Sequence, residues 1–85
     1  MAYSVLWMPS ALAELADIWT DSTDRRAVGE AVDEIDRLLK FSPLELGEAR
    51  DHARRMLFLP PVVVTYDVSK AHKLVYELRV SDITR

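Results

Sequence analysis

The 85-residue sequence contains no cysteine and only two glycines. Without cysteine, the chain cannot form disulfides, thiolate zinc sites or a cysteine nucleophile. Two glycines are too few for a glycine-rich phosphate loop, because such a loop needs several backbone amides that no Cβ atom shields. These absences exclude several common classes of redox, metal and nucleotide-binding site.

Long apolar runs are also absent. No stretch approaches the roughly 20 apolar residues that a membrane-spanning helix requires. The first residues, MAYSVLWMPSALAELADIW, carry no basic leader of the kind found in secreted proteins. We therefore expect a cytoplasmic protein with no membrane partner. At this length we expect one domain, residues 1–85, with a single core.

Positive charge is scarce in the first half of the chain. Residues 1–48 hold ten acids and four bases, a net charge of −6, whereas residues 49–85 hold four acids and seven bases, a net charge of +3. Together they give the formal net charge of −3. A dedicated nucleic-acid-binding protein usually has a much stronger basic excess. The basic second half is expected to attract phosphate groups only weakly.

The first residues predict a strand followed by a helix. AYSVLWM alternates, with Tyr3, Val5 and Trp7 on one face, which is typical of a strand buried on at least one side. Pro9 and Ser10 then predict the start of a short amphipathic helix, because proline suits the first helical turn and serine can cap it.

A second helix, from Thr23 to Lys40, is the clearest element in the sequence. Its apolar stripe consists of Val28, Ala31, Val32, Ile35, Leu38 and Leu39. The acids Glu30, Asp33, Glu34 and Asp36 are expected on its solvated face. Gly29 interrupts this helix, and close approach by the first helix would explain it.

Strand signals dominate the rest of the chain. The segments RRMLFL, VVVTYDV and KLVYELRV are rich in β-branched and aromatic residues, and only PP and the turn SKAH separate them. The preceding LELGEARDH is expected to be a loop. The resulting order, β-α-α-β-β-β, predicts an α+β fold in which a helical hairpin packs on a mostly antiparallel sheet. By their spacing, Trp7, Trp19, Tyr66 and Tyr76 are expected in its core.

Taken segment by segment, the sequence resembles the RelE/ParE superfamily of bacterial type II toxins, also known as plasmid stabilisation proteins. The family opening is similar to VLWMPSALAELADIW, and its second helix to RRAVGEAVDEIDRLLKFSP. The arginine-bearing strand and the strand after it are similar to GEARDHARRMLFLPPVVVTYDV, and the last core strand to KLVYELRV. The resemblance covers nearly the whole chain and implies a RelE/ParE-like fold.

The resemblance to RelE-like members implies a ribosome-dependent mRNA endonuclease that uses neither metal nor cofactor. In such enzymes basic side chains on the sheet stabilise the negative charge that the attacked phosphodiester gains. Carried onto this sequence, the catalytic candidates are Arg54 and Arg79. Met56 and Val63 stand where the family carries further basic residues, so the basic set is reduced.

The resemblance to ParE-like members implies inhibition of DNA gyrase. A net charge of −3 disfavours the ribosome as a target, since rRNA affinity comes largely from phosphate neutralisation. We therefore expect a toxin that binds an essential target, gyrase ahead of the ribosome and mRNA, through Arg50, Arg55 and Arg85. The alternatives are an endonuclease with a reduced site and a degenerate, non-toxic member. In each case the expected partner is a cognate antitoxin protein.

The same residues also admit structural interpretations. In a regular strand Arg54 and Arg55 point to opposite faces, and keeping the sheet soluble is the commoner role for such arginines. For Arg79, a salt bridge or solvent exposure is the commoner role. His52 and His72 lack the further ligands that a metal site needs, so both are expected on the surface of loops.

Overall fold

The computed structural model describes residues 2–51 and 54–83. In chain order the elements are β1 (Ser4–Trp7), α1 (Pro9–Asp21), α2 (Arg25–Phe41), β2 (Glu48–Asp51), β3 (Arg54–Leu59), β4 (Val62–Ser69) and β5 (Leu74–Asp82). The strands form one sheet in the order β1-β5-β4-β3-β2. β1 and β5 are parallel, and the other neighbours are antiparallel. The predicted α+β fold with a mostly antiparallel sheet is confirmed.

The core lies between the helical hairpin and one face of the sheet. Its buried members are Tyr3, Ile18, Val28, Ala31, Ile35, Leu39, Val62, Val64, Tyr66, Val75 and Val80. Each aliphatic side chain buried in this way stabilises the fold by about 1.5–3 kcal/mol. The α2 stripe predicted from the sequence supplies four of these residues, so the helical spacing located the core side of α2 correctly. Neither helix is both long and apolar enough to cross a membrane.

The two helices begin differently. At α2 the Asp24 side chain accepts a hydrogen bond from the Ala27 amide at 3.1 Å and caps the helix. α1 begins at Pro9, and the prediction that Ser10 caps this helix was wrong. The Ser10 hydroxyl donates instead to the carbonyl oxygen of Leu78 at 3.1 Å, because the middle of β5 lies beside this turn of the helix.

Trp19 and Gly29 bring the two helices together. A Cβ atom at Gly29 would lie 3.4 Å from Cζ3 of Trp19, so the predicted close approach of α1 is confirmed. The indole itself is 45% exposed, however, and the prediction of a buried Trp19 was wrong. Ala11 and Ile18 are the residues that α1 buries, because they face the sheet while Trp19 faces α2 near the surface.

β2 replaces part of the loop predicted for LELGEARDH. Its residues Glu48 and Ala49 pair with Met56 and Arg55 of β3. The segment EARD has little intrinsic preference for a strand, so pairing with β3 decides its structure. Gly47, just before β2, has a φ of 73°, a conformation that glycine adopts without strain. The strand therefore depends on contacts that the local sequence does not encode.

Candidate functional site

The sheet has a second face that lies away from the helices, which we call the open face. Strand register places Leu6, Arg54, Met56, Phe58, Val63, Thr65, Asp67, Tyr76 and Arg79 on it. Both catalytic candidates, Arg54 on β3 and Arg79 on β5, therefore share one surface. Two strand spacings, about 10 Å, separate them across the sheet.

Arg54 is paired with an acid on the open face. Its Nε donates to Oδ1 of Asp67 at 3.2 Å, and Nη2 lies 3.5 Å from Oδ2. The two residues are directly opposite each other on β3 and β4. The Arg54 side chain is 53% exposed, so water screens this pair and it contributes little to stability.

A β-bulge in β5 determines where Arg79 points. The register between β4 and β5 shifts, so that Leu78 has no partner of its own in β4. Glu77 and Val80 consequently both face the helices although three positions separate them. Regular alternation would have buried position 79, whereas the bulge leaves Arg79 exposed.

Arg79 is bound to α1. Its Nη2 and Nε donate to Oε2 of Glu14 at 3.0 and 3.3 Å, and the other Glu14 oxygen accepts the Val80 amide at 3.0 Å. β1 ends at Trp7, so α1 rather than a strand borders this part of the β5 edge. There the Glu14 carboxylate accepts the Val80 amide, which a neighbouring strand would otherwise bind. Arg79 is thereby held toward α1 and away from Arg54.

The rest of the open face is largely apolar. Leu6 and Phe58 are 41% and 45% exposed, and Met56 and Tyr76 are half-buried. The prediction of Tyr76 in the core was wrong, because its neighbour Glu77 takes the position that faces the helices. In the part of the open face that the structure describes, both arginines are ion-paired. Strand pairing also places the acid Glu48 opposite Met56 on this face. A surface with exposed apolar side chains and no excess of positive charge among the described residues suits a protein partner better than a polyanion.

Arg55 points to the opposite face, as predicted. It is half-buried on the side of the helices, where Nε donates to the Leu46 carbonyl at 2.9 Å and Nη2 to that of Gly47 at 3.3 Å. These bonds hold the chain segment before β2 against the sheet. The guanidinium that the sequence offered for target binding is thus engaged within the fold.

Tyr66 holds the same segment from the middle of the sheet. Its hydroxyl lies 2.9 Å from the carbonyl oxygens of both Pro43 and Leu46, and its side chain is fully buried. Burial raises the pKa of Tyr66, and the nearby Arg55 guanidinium partly opposes that rise. The phenol therefore stays protonated and can donate. This arrangement was not predicted from the sequence, where its signal is a tyrosine within the valine run of β4.

Solved structures resemble this fold closely, although no protein-family model and no curated protein matches the sequence. The RelBE2 toxin–antitoxin complex from Mycobacterium tuberculosis superposes with a TM-score of 0.80 at 21% identity, covering 96% of this chain and 99% of that one. The chromosomal ParDE system from P. aeruginosa gives 0.73 at 21% identity, with 95% and 96% covered. The isolated E. coli RelE toxin gives 0.71 at 20% identity, with 99% and 87% covered.

The chain has the RelE/ParE toxin fold. The fold implied by the sequence resemblance is thereby confirmed over nearly the whole chain. The extra strand β2 is part of this fold, so the sheet has four strands after the helices where the sequence predicted three.

The target-binding candidates Arg50 and Arg85 and the two histidines remain to be located in this RelE/ParE fold. Arg50 belongs to β2, but its side chain and all of His52 and Arg85 lie outside the described residues. His72 is exposed in the turn between β4 and β5, as predicted. Across residues 2–51 and 54–83, no three histidine or acidic side chains are grouped closely enough to hold a metal ion.

One polar cluster in the RelE/ParE fold escaped the sequence analysis. Glu77 is completely buried, and it faces Trp7 of β1 in the strand register. Both carboxylate oxygens of Asp36 accept from the Trp7 Nε1, at 3.2 and 3.3 Å. The prediction that Asp36 lies on the solvated face of α2 was therefore wrong. It is half-buried beside β1. A lone acid between the apolar residues of β5 was the available signal.

Proposed function

We propose that the chain is the toxin of a type II toxin–antitoxin pair and that its open face binds an essential protein, with DNA gyrase ahead of the ribosome. The observation that carries this choice is the pairing of Arg54 with Asp67 and of Arg79 with Glu14. A surface that binds RNA gains affinity when its cations neutralise phosphates. Here each cation would first have to leave an acid.

The antitoxin partner is supported by the fold. The M. tuberculosis RelBE2 and E. coli RelBE structures are toxin–antitoxin complexes. Large apolar side chains on the helices of this chain are exposed, with Leu12 at 52% and Phe41 at 61%. An antitoxin that covers such side chains would remove them from water. Co-purification with the product of a neighbouring short reading frame tests this part of the proposal.

A second candidate is an mRNA endonuclease with a reduced basic site. It is supported by the position of Arg54 and Arg79 on one face and by the RelE toxins among the structural matches. In that case the two guanidinium groups would leave their acids and stabilise the charge on the phosphodiester. A chain that binds an antitoxin and has no toxicity is the third candidate.

Pulse-labelling after induced expression separates the three candidates. Thymidine and amino-acid incorporation are followed in one culture, and the purified protein is then assayed for inhibition of gyrase supercoiling and for ribosome-dependent mRNA cleavage. We expect thymidine incorporation to fall first and supercoiling to be inhibited. If amino-acid incorporation falls first and mRNA is cleaved, the gyrase proposal is wrong. If neither falls, the chain is not a toxin.

Variants of the open face sharpen this test. We expect Phe58→Ser to weaken gyrase inhibition more than the double change Arg54→Ala, Arg79→Ala, because aromatic anchors dominate protein interfaces. In an endonuclease the order is reversed, since removing cations at the reacting phosphate costs roughly 100-fold or more. The matched control is Arg26→Ala, Arg37→Ala, which removes two exposed arginines paired with Glu30 and Glu34 on α2.

A further inference from the structure

A row of four large side chains crosses the face of the sheet that packs against the helices. Arg55, Tyr66, Glu77 and Trp7 lie side by side on β3, β4, β5 and β1. Arg55 and Tyr66 bind backbone carbonyls, and Trp7 binds Asp36. Glu77 differs from the other three. Like Tyr66 it is completely buried, but neither of its carboxyl oxygens has a hydrogen-bond partner.

The groups that face Glu77 offer it no positive charge. Trp7 of β1 and Asp36 of α2 are its polar neighbours, and Tyr66 of β4 directs its hydroxyl to other acceptors. On the α1 side, the Glu14 carboxylate is already bound to Arg79 and to the Val80 amide. Within the described residues, no arginine or lysine forms an ion pair with Glu77 or Asp36.

A buried carboxylate without a cation is strongly disfavoured. Burial, and after it the adjacent Asp36 carboxylate, raises the pKa of Glu77 to about 10, although the Trp7 indole slightly opposes the rise. Glu77 is therefore neutral at pH 7. Its neighbour Asp36 accepts the Trp7 N–H and borders the groove between α2 and β1.

We propose that Glu77 and Asp36 form a proton-linked latch between α2 and the sheet, closed while Glu77 holds a proton and opened when both carboxyl groups are ionised. Two negative charges would then lie next to each other in the core. Because Asp36 borders the groove and Glu77 does not, Asp36 is the group that moves outward. This movement also changes its contact with Trp7. This latch does not depend on the toxin function proposed above.

The latch makes folding depend on pH in a definite direction. In the unfolded chain Glu77 loses its proton near the ordinary glutamate pKa of 4.5, whereas in the folded chain it keeps the proton until the pH nears 10. Between these values the folded state binds one proton more than the unfolded state. The unfolding equilibrium constant therefore rises with pH, by up to tenfold for each unit. Glu77 therefore opposes folding least at the acid end of this window.

Urea unfolding between pH 5 and 9 tests the latch. We expect the wild-type unfolding constant to rise steeply with pH and the rise to be much weaker in Glu77→Gln, whose amide is neutral throughout. Glu30→Gln removes an exposed acid from α2 and is expected to keep the wild-type dependence. Equal pH dependence in wild type and Glu77→Gln would overturn the proposal.

A second measurement needs no change at Glu77. Carboxyl carbon NMR of the wild-type protein follows the Glu77 signal directly, and we expect it to titrate far above the other glutamates and at lower pH in Asp36→Asn. In a Trp19→Phe background, Trp7 is the only indole, and its fluorescence should change together with that titration. If Glu77 titrates in the ordinary carboxyl range, or if the Trp7 signal ignores it, the latch does not exist.

Discussion

Arg54 and Arg55 are neighbours in β3, yet they lie on opposite faces of the sheet and differ in their partners and in their exposure to water. On the helix side, Arg55 donates to the Leu46 and Gly47 carbonyls in a half-buried position. On the open face, Arg54 meets Asp67 in contact with water. Water can replace an exposed ion pair, but it cannot easily reach buried carbonyl groups. We conclude that polar groups on the helix side maintain the fold, whereas the ion pair of Arg54 on the open face contributes little to it.

The largest expected effect on the helix side comes from Gly47→Ala. The added Cβ atom would lie 2.7 Å from the Met56 carbonyl oxygen and 2.9 Å from the Tyr66 hydroxyl, at a φ of +73°. Both the left-handed backbone and the displaced hydroxyl oppose the substitution. We expect the free energy of unfolding to fall by about 3 kcal/mol.

Urea denaturation measures this loss, and Gly29→Ala is its matched control. The Cβ atom at Gly29 would meet the Trp19 ring at 3.4 Å, an ordinary contact, and alanine favours a helix. We therefore expect Gly29→Ala to leave stability unchanged or raise it by up to about 1 kcal/mol. A loss of less than 1 kcal/mol at Gly47 would show that the segment before β2 adapts easily.

Tyr66→Phe is expected to have the next largest effect. It removes the hydroxyl that donates to the buried Pro43 carbonyl, while the Leu46 carbonyl retains Arg55. One buried acceptor without a partner costs about 1–2 kcal/mol of unfolding free energy. The same change at Tyr76, on the open face, is expected to cost under about 0.5 kcal/mol. Equal losses at the two tyrosines would break the distinction between the two faces.

Much of this architecture follows from patterns within single segments. The spacing of Val28, Ala31, Ile35 and Leu39 located the buried side of α2, and the run of β-branched residues located β3 to β5. These patterns are strong because one face of each element must be buried whatever its neighbours are. The order of elements then carried the resemblance to the toxin fold.

What the sequence did not predict depends on how strands pair. β2 is held by β3, and the bulge at Leu78 decides that Val80 is buried and Arg79 exposed. The partners Asp67 and Glu14 come from other elements, so no local pattern names them. Glu77 was overlooked because a charged residue in a strand is normally placed on the wet side. Glu77 is instead on the buried side of β5, so its neighbour Tyr76 lies on the open face.

The smallest expected effect is the coupling between Arg54 and Asp67, and it bears most directly on function. A double-mutant cycle of Arg54→Ala and Asp67→Ala, read by urea unfolding, is expected to give under about 1 kcal/mol, falling further in high salt. Directly opposed charges on adjacent strands gain little when water reaches both. A coupling well above that value would place Arg54 with Arg55 among the groups that hold the sheet together. It would then be the apolar residues of the open face, Phe58 and Leu6 foremost, that remain to engage a target.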